Sequence, residues 1–445
     1  MMLWICSLSL TLIWIVNGEP TCMESSYGTD FIFSIADLPY YRSTHPEDPD
    51  ISLHITSKRS TYFDMTLPSL ATASKTPIYF TTRYRLYHTG VYNLNSTFIN
   101  RYSDVNSRSS IRIHADYPIS VSAVYSYNKN SPSYDLNNHI LPVNTLSTTY
   151  VIPSYPNNKA TYSQNQLLVV ALNESTTIHI KHYGISKYQS LHANETFIYK
   201  SSSDISGASI TSNRPVAVFS SMASGYNYHS STYGQSRNLL MQVPPITQGS
   251  FHFIVPALPS LVKNYKVRIY STHTGALVDI YSTSESVRHM HVYENIYYEY
   301  STKGSSALEV FSDSPIMVVQ IAENSHGAAM FMTNIPAVSQ YMTSYLTFST
   351  HSHYIVIVRY EEALGLLVDG SPLLHNPEVV AHRTPTGNFT LFTIPSTSSN
   401  DVVSHISDEP FGLFVFNQGS ITSYSAGMNF DTDCVQATSA SQIIG

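Results

Sequence analysis

Histidine pairs are the residues in this sequence whose type and spacing come closest to a chemical site. They are His179 with His182, His289 with His291, and His351 with His353. Alternate residues of a β-strand point to the same face, so a His-x-His pair could offer two imidazoles to one metal ion. A closed metal site needs further ligands, and the sequence identifies no third or fourth partner. We therefore expect strand histidines without a metal, and no cofactor.

The short signatures of the common enzyme classes do not occur in the sequence. It contains no GxSxG elbow, HExxH zinc motif, P-loop, strand-linked GxGxxG or paired CxxC. With 30 Asp and Glu in 445 residues, candidates for general acid–base catalysis are few. The sequence predicts a protein that is not an enzyme. A metal-dependent extracellular hydrolase is the alternative that the histidine pairs leave open.

Tyrosine-rich polar segments are the candidates for ligand binding. Segments 128–138 (NKNSPSYDLNN) and 221–236 (SMASGYNYHSSTYGQS) each follow an apolar strand. Loops on a rigid scaffold often carry binding residues, and tyrosine gives a large contact area at low entropic cost. An insertion without function is the competing interpretation. The predicted ligand contacts are Tyr226, Tyr228, His229, Tyr233 and Arg237.

Composition narrows the class of protein. Only 12% of the residues are charged, the net charge is −7, and there are 34 Tyr and 18 Phe. A nucleic-acid binder is disfavoured because phosphate contacts need clustered Lys and Arg. Intrinsic disorder is disfavoured because the chain has ample aromatic surface to bury. Low charge with abundant Tyr, Ser and Thr favours extracellular β structure.

The N-terminus predicts secretion. Residues 3–16 form one apolar run, too short to span a bilayer comfortably, and small residues follow it. We interpret residues 1–18 as a signal peptide, with an uncleaved anchor as the alternative, and expect an extracellular chain without stable membrane insertion. Four sequons then become candidate glycosylation sites. They are Asn95, Asn173, Asn194 and Asn388.

Two cysteines remain after the predicted cleavage, Cys22 and Cys434, near the two ends of the mature chain. In an oxidising compartment a lone pair of cysteines usually forms a bridge, which requires the Cα atoms to lie within about 7 Å. A Cys22–Cys434 disulfide would join the two ends. Pairing of each cysteine with another chain is the alternative.

One pattern recurs four times along the chain: a short apolar strand, a polar turn ending in proline, and a second apolar strand. The prolines, Pro118, Pro215, Pro315 and Pro410, are 97, 100 and 95 residues apart. Asp, Asn or Ser near proline favours a turn, so the pattern predicts a repeated hairpin. The predicted repeat units are 36–155, 156–258, 259–350 and 351–430, the last closed by a strand at 28–35.

These repeats predict an all-β fold of four units of about 100 residues. Alternating apolar residues within each repeat indicate two four-stranded meanders, which would give eight blades of a closed propeller-like ring. An N-terminal strand that completes the last blade would leave no exposed sheet edge. Four tandem β-sandwich domains are the alternative, because a sandwich domain has about this length.

The second repeat also resembles a known family. Its ordered segments LPVNTLSTTYVIPSY, QLLVVALNESTTIHI, ASITSNRPVAVFSSM and NLLMQVPPITQGSFHFIVPAL are similar to the N-terminal domain of the IgG Fc-binding protein family. The resemblance is best over residues 141–272 and weaker over the rest of 19–445. Segment 221–236 lacks the cysteines that the family often has there.

The resemblance implies a secreted, mucus-associated binding protein whose partner is an extracellular protein or glycoprotein. An immunoglobulin Fc region and a mucin are the candidates, since the mammalian founder of the family binds Fc. We therefore expect a secreted, non-enzymatic binding or adhesion glycoprotein. A passive structural component of mucus or extracellular matrix is the alternative.

Overall fold

A computed structural model gives the fold of most of the chain. The residues it describes are 26–41, 46–68, 79–101, 103, 106–127, 134–155, 164–224, 237–260, 262–271, 275–294, 296–323, 329–348, 352–396, 400–417, 422–425 and 427–429. They form β-strands and short 3₁₀ segments, without an α-helix in these ranges. The prediction of an all-β chain is confirmed.

The strands fall into four units, 28–140, 147–242, 250–335 and 344–425. Unit 1 contains β1 Gly28–Phe33, β2 Ile35–Ala36, β3 Tyr40–Tyr41, β4 Pro46–Glu47, β5 Asp50–Thr56, β6 Thr61–Pro68, β7 Tyr79–Leu86, β8 Thr89–Leu94, β9 Ile99–Asn100, β10 Asn106–Ser107, β11 Ile111–Ser126 and β12 Asp135–Ile140. Unit 2 contains β13 Ser147–Val151, β14 Gln164–Ala171, β15 Thr176–His182, β16 Ile185–Leu191, β17 Thr196–Ser201, β18 Ser209–Ala223 and β19 Leu239–Gln242.

Units 3 and 4 follow the same plan. Unit 3 contains β20 Ser250–Val255, β21 Asn264–Ser271, β22 Ala276–Ser282, β23 Arg288–Val292, β24 Tyr297–Lys303, β25 Leu308–Glu323 and β26 Ala329–Ile335. Unit 4 contains β27 Ser344–Phe348, β28 Ser352–Arg359, β29 Leu366–Val368, β30 Ser371–Pro372, β31 Val380–Arg383, β32 Phe389–Pro395, β33 Asn400–His405, β34 Gly412–Asn417 and β35 Thr422–Ser425. The 3₁₀ segments are Ser96–Phe98, Val143–Thr145, Ile246–Gln248, Val338–Gln340, Tyr360–Gly365 and Leu373–His375.

Each of the first three units is built around one long strand that belongs to two sheets. In unit 1, the first half of β11 pairs with β1 and β6, and its second half pairs with β5 and β12. Strands β18 and β25 are shared in the same way. The two four-stranded meanders predicted for each repeat are therefore not formed, and the sheet order is sandwich-like.

Proline marks the point where the long strand leaves one sheet for the other. Proline cannot donate a ladder hydrogen bond, so it is tolerated at a bulge or at a strand end. The ladder shifts there: Gly28 pairs with Ile119, but Asp30 pairs with His114. The predicted hairpin is wrong in units 1 to 3, because the chain bends at the proline without reversing. Only in unit 4 do two separate strands, β33 and β34, flank Pro410.

The N-terminal strand was expected to close the last repeat, and it does not. Strand β1 pairs with β11 in the first unit. It is the counterpart of β13, β20 and β27, which pair with the first half of the long strand, or with β33, in their own units. The array of strands is therefore not circularly shifted.

Successive units pack together through the sheet that contains the second half of the long strand. In β14, Leu167 and Val169 lie in the core of unit 2, while Leu168 and Val170 lie in the core of unit 1. Burial on both faces explains the continuous apolar run of this strand. The interface between units 3 and 4 repeats this arrangement, with Ile355 packed into the core of unit 3.

The last unit also contacts the first. Ser26 Oγ donates to the Met428 carbonyl over 2.8 Å, and Tyr27 OH accepts a hydrogen bond from the Leu346 amide over 3.1 Å. Strands β12, β19, β26 and β35 contact one another in a cycle, β12 with β19, β19 with β26, β26 with β35, and β35 with β12. The four units thus meet in a closed order.

The interface that closes this order differs chemically from the others. In each unit, the residue four positions after the repeated proline has a cross-strand ladder partner on the face toward the neighbouring unit. This partner is His54 in unit 1, Leu168 in unit 2, Arg268 in unit 3 and Ile355 in unit 4. Against unit 4, unit 1 presents a row of three side chains on neighbouring strands: His54, Ser122 and His139. They line a cavity of about 30 Å³ together with Leu346, Thr347 and Val415 of unit 4.

The two imidazoles at this interface are shielded from water. Burial lowers the pKa of His54 and of His139 from 6.5 to about 4 in each case. The solvent-inaccessible Nε2 of His139 has no hydrogen-bond partner among the described residues. Both rings are therefore neutral near pH 7, and protonation would place positive charge in the interface.

We expect acidification to destabilise the folded chain through these histidines. Between pH 6.5 and 4 the unfolded chain binds protons that the folded chain does not, so the free energy of unfolding falls as pH falls through this window. A fully shifted imidazole contributes up to about 3 kcal/mol, and partial exposure to solvent reduces that amount. Urea unfolding at pH 7 and pH 5 should show a smaller loss for a His54→Gln/His139→Gln variant. The exposed His382→Gln variant is the control, and equal losses for all three proteins would contradict the expectation.

Candidate binding face

The ends of the long strands and the starts of the next strands lie on one face of the molecule. The ladders pair Ser126 with Asp135, Met222 with Leu239, and Glu323 with Ala329 at this end. A hydrogen bond from the Arg237 amide to the Ala329 carbonyl, 3.1 Å long, links the starts of β19 and β26. We call this end the loop face, because segments 128–133, 225–236, 324–328 and 418–421 connect its strands in sequence.

Most of the predicted ligand contacts fall in one of these segments. Tyr226, Tyr228, His229 and Tyr233 lie outside the described residues. Arg237 is described and is only 6% exposed, with its guanidinium carbon 4.7 Å from the ring centre of Tyr134. The structure thus gives Arg237 a packing position beneath the loop face, and its contact with a ligand stays a prediction.

A buried tyrosine–asparagine cluster fixes the base of the loop face between units 1 and 2. The rings of Tyr127 and Tyr134 stack with centres 4.4 Å apart. Tyr127 OH donates to the Leu38 carbonyl and accepts from Asn238 Nδ2, both over 2.8 Å. Asn238 Oδ1 accepts from the Ser224 amide over 2.6 Å. Because Ser224 and Arg237 flank segment 225–236, this cluster anchors both ends of the predicted binding segment.

Sequence reasoning missed this cluster. Asn238 reaches Tyr127 across 111 residues, and neither residue belongs to a recognisable motif. Burial raises the pKa of Tyr127 well above its ordinary value, so its hydroxyl stays protonated and able to donate. The sequence feature that could have indicated this cluster is a tyrosine immediately before and immediately after segment 128–133.

A charged network fills the interface between units 2 and 3 near the same face. Arg268, 3% exposed, donates from Nε to Glu299 over 2.8 Å and from Nη1 to the Ser154 carbonyl over 2.5 Å. Lys266 Nζ lies 3.1 Å from Glu299 and 3.3 Å from Glu323. The network joins side chains of unit 3 to the residues that follow β13 in unit 2.

Aromatic rings complete this network. The guanidinium of Arg268 lies 4.1 Å from the ring centre of Tyr297 and 4.9 Å from that of Tyr155. Tyr155 OH donates to Glu323, and burial together with this hydrogen bond raises the pKa of Tyr155 to about 12. Burial alone would raise the pKa of the Glu299 carboxyl, but Arg268 and Lys266 hold it below its ordinary value. The Glu299 carboxylate is therefore ionised and paired near pH 7.

The histidine pairs, which the sequence predicts to be strand histidines without a metal, make local contacts. The His179 ring stacks on Tyr188 with centres 3.9 Å apart, and His289 Nδ1 lies 2.6 Å from Asp279. His351 lies outside the described residues. Within the described ranges no group of three or more His, Cys, Asp or Glu is placed to hold a metal ion.

The predicted glycosylation and disulfide sites differ in their exposure and in whether the structure describes them. Asn95 and Asn388 are exposed, whereas Asn173 and Asn194 are half-buried. Cys22, Cys434 and the predicted signal peptide lie outside the described residues. In the described part of the chain, no helix has the length and apolar character needed to cross a membrane.

Residues 136–417 match the family model described as IgGFc binding protein. This match spans well over half of the sequence, from β12 of unit 1 to β34 of unit 4. The chain belongs to the IgGFc binding protein family. The suspected resemblance is thereby confirmed, and the IgGFc binding family is a family of binding domains. Almost all of unit 1 lies outside the matched residues.

Comparison with other proteins adds little to this assignment. No curated protein matches the chain. The major pilin from Streptococcus pyogenes is similar at 10% identity and a TM-score of 0.14, over 69% of this chain and 98% of the pilin. A Ca²⁺-stabilized ice-binding adhesin of an Antarctic bacterium is similar at 11% identity and a TM-score of 0.12, over 91% of this chain and 99% of the adhesin.

We expect an Arg268→Ala substitution in this family member to lower the free energy of unfolding by about 3 kcal/mol, because it removes a buried cation from the half-buried carboxylates of Glu299 and Asp204. Chemical denaturation measures the loss. Arg214→Ala, on the exposed part of β18, is the matched control and should change stability by less than about 0.5 kcal/mol. Equal stability of the two variants would contradict the role of the network.

Proposed function

We propose that this IgGFc binding family member is a secreted, non-enzymatic binding or adhesion glycoprotein. It recognises an extracellular protein or glycoprotein through the loop face. The observation that carries the proposal is the family match over residues 136–417, which covers units 2 and 3 and unit 4 as far as β34. An immunoglobulin Fc region and a mucin are the partners to test first.

The described base of the loop face supports this use. Asn238 and Tyr127 tie the flanks of segment 225–236 to unit 1, and the Arg237 amide ties them to unit 3. Binding sites are commonly carried by loops whose ends are fixed by a rigid scaffold. A segment whose flanking residues are held by three units loses less conformational entropy at its ends when it binds a partner.

We further propose that the mature chain is a closed, propeller-like ring of four sandwich-like units, locked by a Cys22–Cys434 disulfide. The contact between Ser26 and Met428 supports this, because it lies four residues after Cys22 and six residues before Cys434. Ten residues of extended chain can span about 33 Å, so the cysteines are within reach of each other.

The disulfide has a measurable consequence. In the chain-entropy model, a bridge closing a loop of about 410 residues adds roughly 6 kcal/mol to the free energy of unfolding. Non-reducing peptide mapping of the secreted protein should find Cys22 and Cys434 in one crosslinked pair, and reduction should lower the melting temperature. Free thiols, or cysteines bridged to a second chain, would overturn the proposal of a locked ring.

Ligand binding is tested with the full mature chain on a biosensor surface. We expect saturable binding of either IgG Fc or a purified mucin, and at least a tenfold weaker affinity for the Tyr226→Ala/Tyr228→Ala/Tyr233→Ala variant. Tyr293→Ala, an exposed tyrosine on unit 3, is the matched control. Unchanged affinity of the triple variant would exclude the predicted tyrosines. Concentration-dependent self-assembly with no binding of either ligand would favour the alternative role as a structural component of mucus or matrix.

A further inference from the structure

One segment of unit 1 is rich in cations: residues 58–112 contain eight Lys and Arg but only two Asp and Glu, whereas the whole chain has a net charge of −7. Some of these cations are neutralised by carboxylates from outside the segment, as Arg83 is by Asp116 and Arg108 by Glu195. A cation that has no carboxylate close to it attracts anionic partners.

Part of this charge lies on one exposed sheet surface, formed by β6, β7 and the bend of β11. Arginine and tyrosine side chains alternate across it, and we call it the arginine–tyrosine face. Its members are Arg59, Tyr62, Arg83, Arg85, Tyr87 and Tyr117.

The side chains of this face are stacked in pairs. The guanidinium carbon of Arg59 lies 3.4 Å from the ring centre of Tyr117. That of Arg85 lies 4.8 Å from the Tyr87 ring centre and 5.8 Å from that of Tyr62, which is its direct cross-strand partner. Stacking occupies the flat face of a guanidinium and leaves its edge of N–H donors free.

Among the residues that the structure describes, two of the three arginines have no carboxylate partner. Arg83 is neutralised by Asp64 at 3.1 Å and Asp116 at 2.5 Å. No salt bridge to Arg59 or Arg85 is formed within the described part of the chain. Their donors therefore face solvent in an orientation fixed by the rings.

The rings are also unusually open to solvent. Tyr62 is 44% exposed and Tyr87 is 62% exposed. Large aromatic surfaces next to unpaired guanidinium groups are characteristic of binding surfaces. A partner that fits must offer anionic groups for the arginine edges and flat apolar patches for the rings.

We propose that the arginine–tyrosine face binds a sulfated polysaccharide. Sulfate oxygens match the fork of N–H donors on Arg59 and Arg85, and the C–H faces of sugar rings match the exposed rings of Tyr62 and Tyr87. The face is an exposed sheet surface, so it suits an extended chain. The inference rests on the proposed secretion, which brings the face into contact with extracellular polyanions, but it uses a surface separate from the loop face.

The experiment measures binding of heparin to the full mature chain. We expect retention on immobilised heparin that weakens steeply with salt, and at least a tenfold loss of affinity for Arg59→Ala/Arg85→Ala. The matched control is Arg383→Ala, which removes an arginine stacked 3.8 Å above Tyr360 on unit 4. An Arg59→Lys/Arg85→Lys variant keeps the charge but loses the fork, so its affinity should be intermediate.

Three outcomes would overturn the proposal. The first is equal heparin binding by the wild type and the double alanine variant. The second is binding of desulfated heparin as tight as that of heparin. The third is binding of poly-glutamate as tight as that of heparin, which would indicate an acidic protein as the partner. Circular dichroism and melting temperature establish that the variants are folded. The Tyr226→Ala/Tyr228→Ala/Tyr233→Ala variant should bind heparin like wild type, so failure here and failure of the loop-face proposal are distinguishable.

Discussion

A proline cannot donate a backbone hydrogen bond, and the architecture of each unit depends on that deficiency. At Pro118, Pro215 and Pro315 the ladder of one sheet stops while the chain continues as a strand of a second sheet. The two sheets are therefore connected through the backbone of a single strand. This connection fixes which residues face the core of the unit and which face its neighbour.

The position four residues after each proline shows that the same backbone geometry accepts interfaces of different chemistry. Its ladder partner is apolar in units 2 and 4, arginine in unit 3 and histidine in unit 1. The same backbone thus supports an apolar interface, an ion-pair network and a polar interface with a small cavity. Arg268 is tolerated because Glu299, Asp204 and two tyrosine rings surround it, which compensates for the loss of water.

Much of this fold could be predicted from the sequence, since alternation and β-branched residues locate strands such as β14 and β15 well. The recurring proline also gave the correct period. The proline alone does not determine whether the chain reverses direction or continues as one bent strand. That outcome depends on whether a strand distant in sequence, such as the one containing Gly28 and Asp30, pairs with this segment. For the same reason nothing in the sequence around His54 indicates that unit 4 covers this side chain. The base of the loop face was equally invisible, because Tyr127 and Asn238 are brought together only by packing of two units.

The polar character of the closing interface matters during synthesis. Each unit completes its sheets mainly with its own strands, so units can fold in order as the chain emerges, and the corresponding faces of units 2 to 4 meet a neighbour that already exists. Unit 1 meets its partner on this face only after unit 4 has been synthesised. Until then the exposed face carries the polar residues Ser52, His54, Thr56 and Ser122 with Val124 as an apolar member, so the nascent chain does not expose a large apolar patch that would favour aggregation.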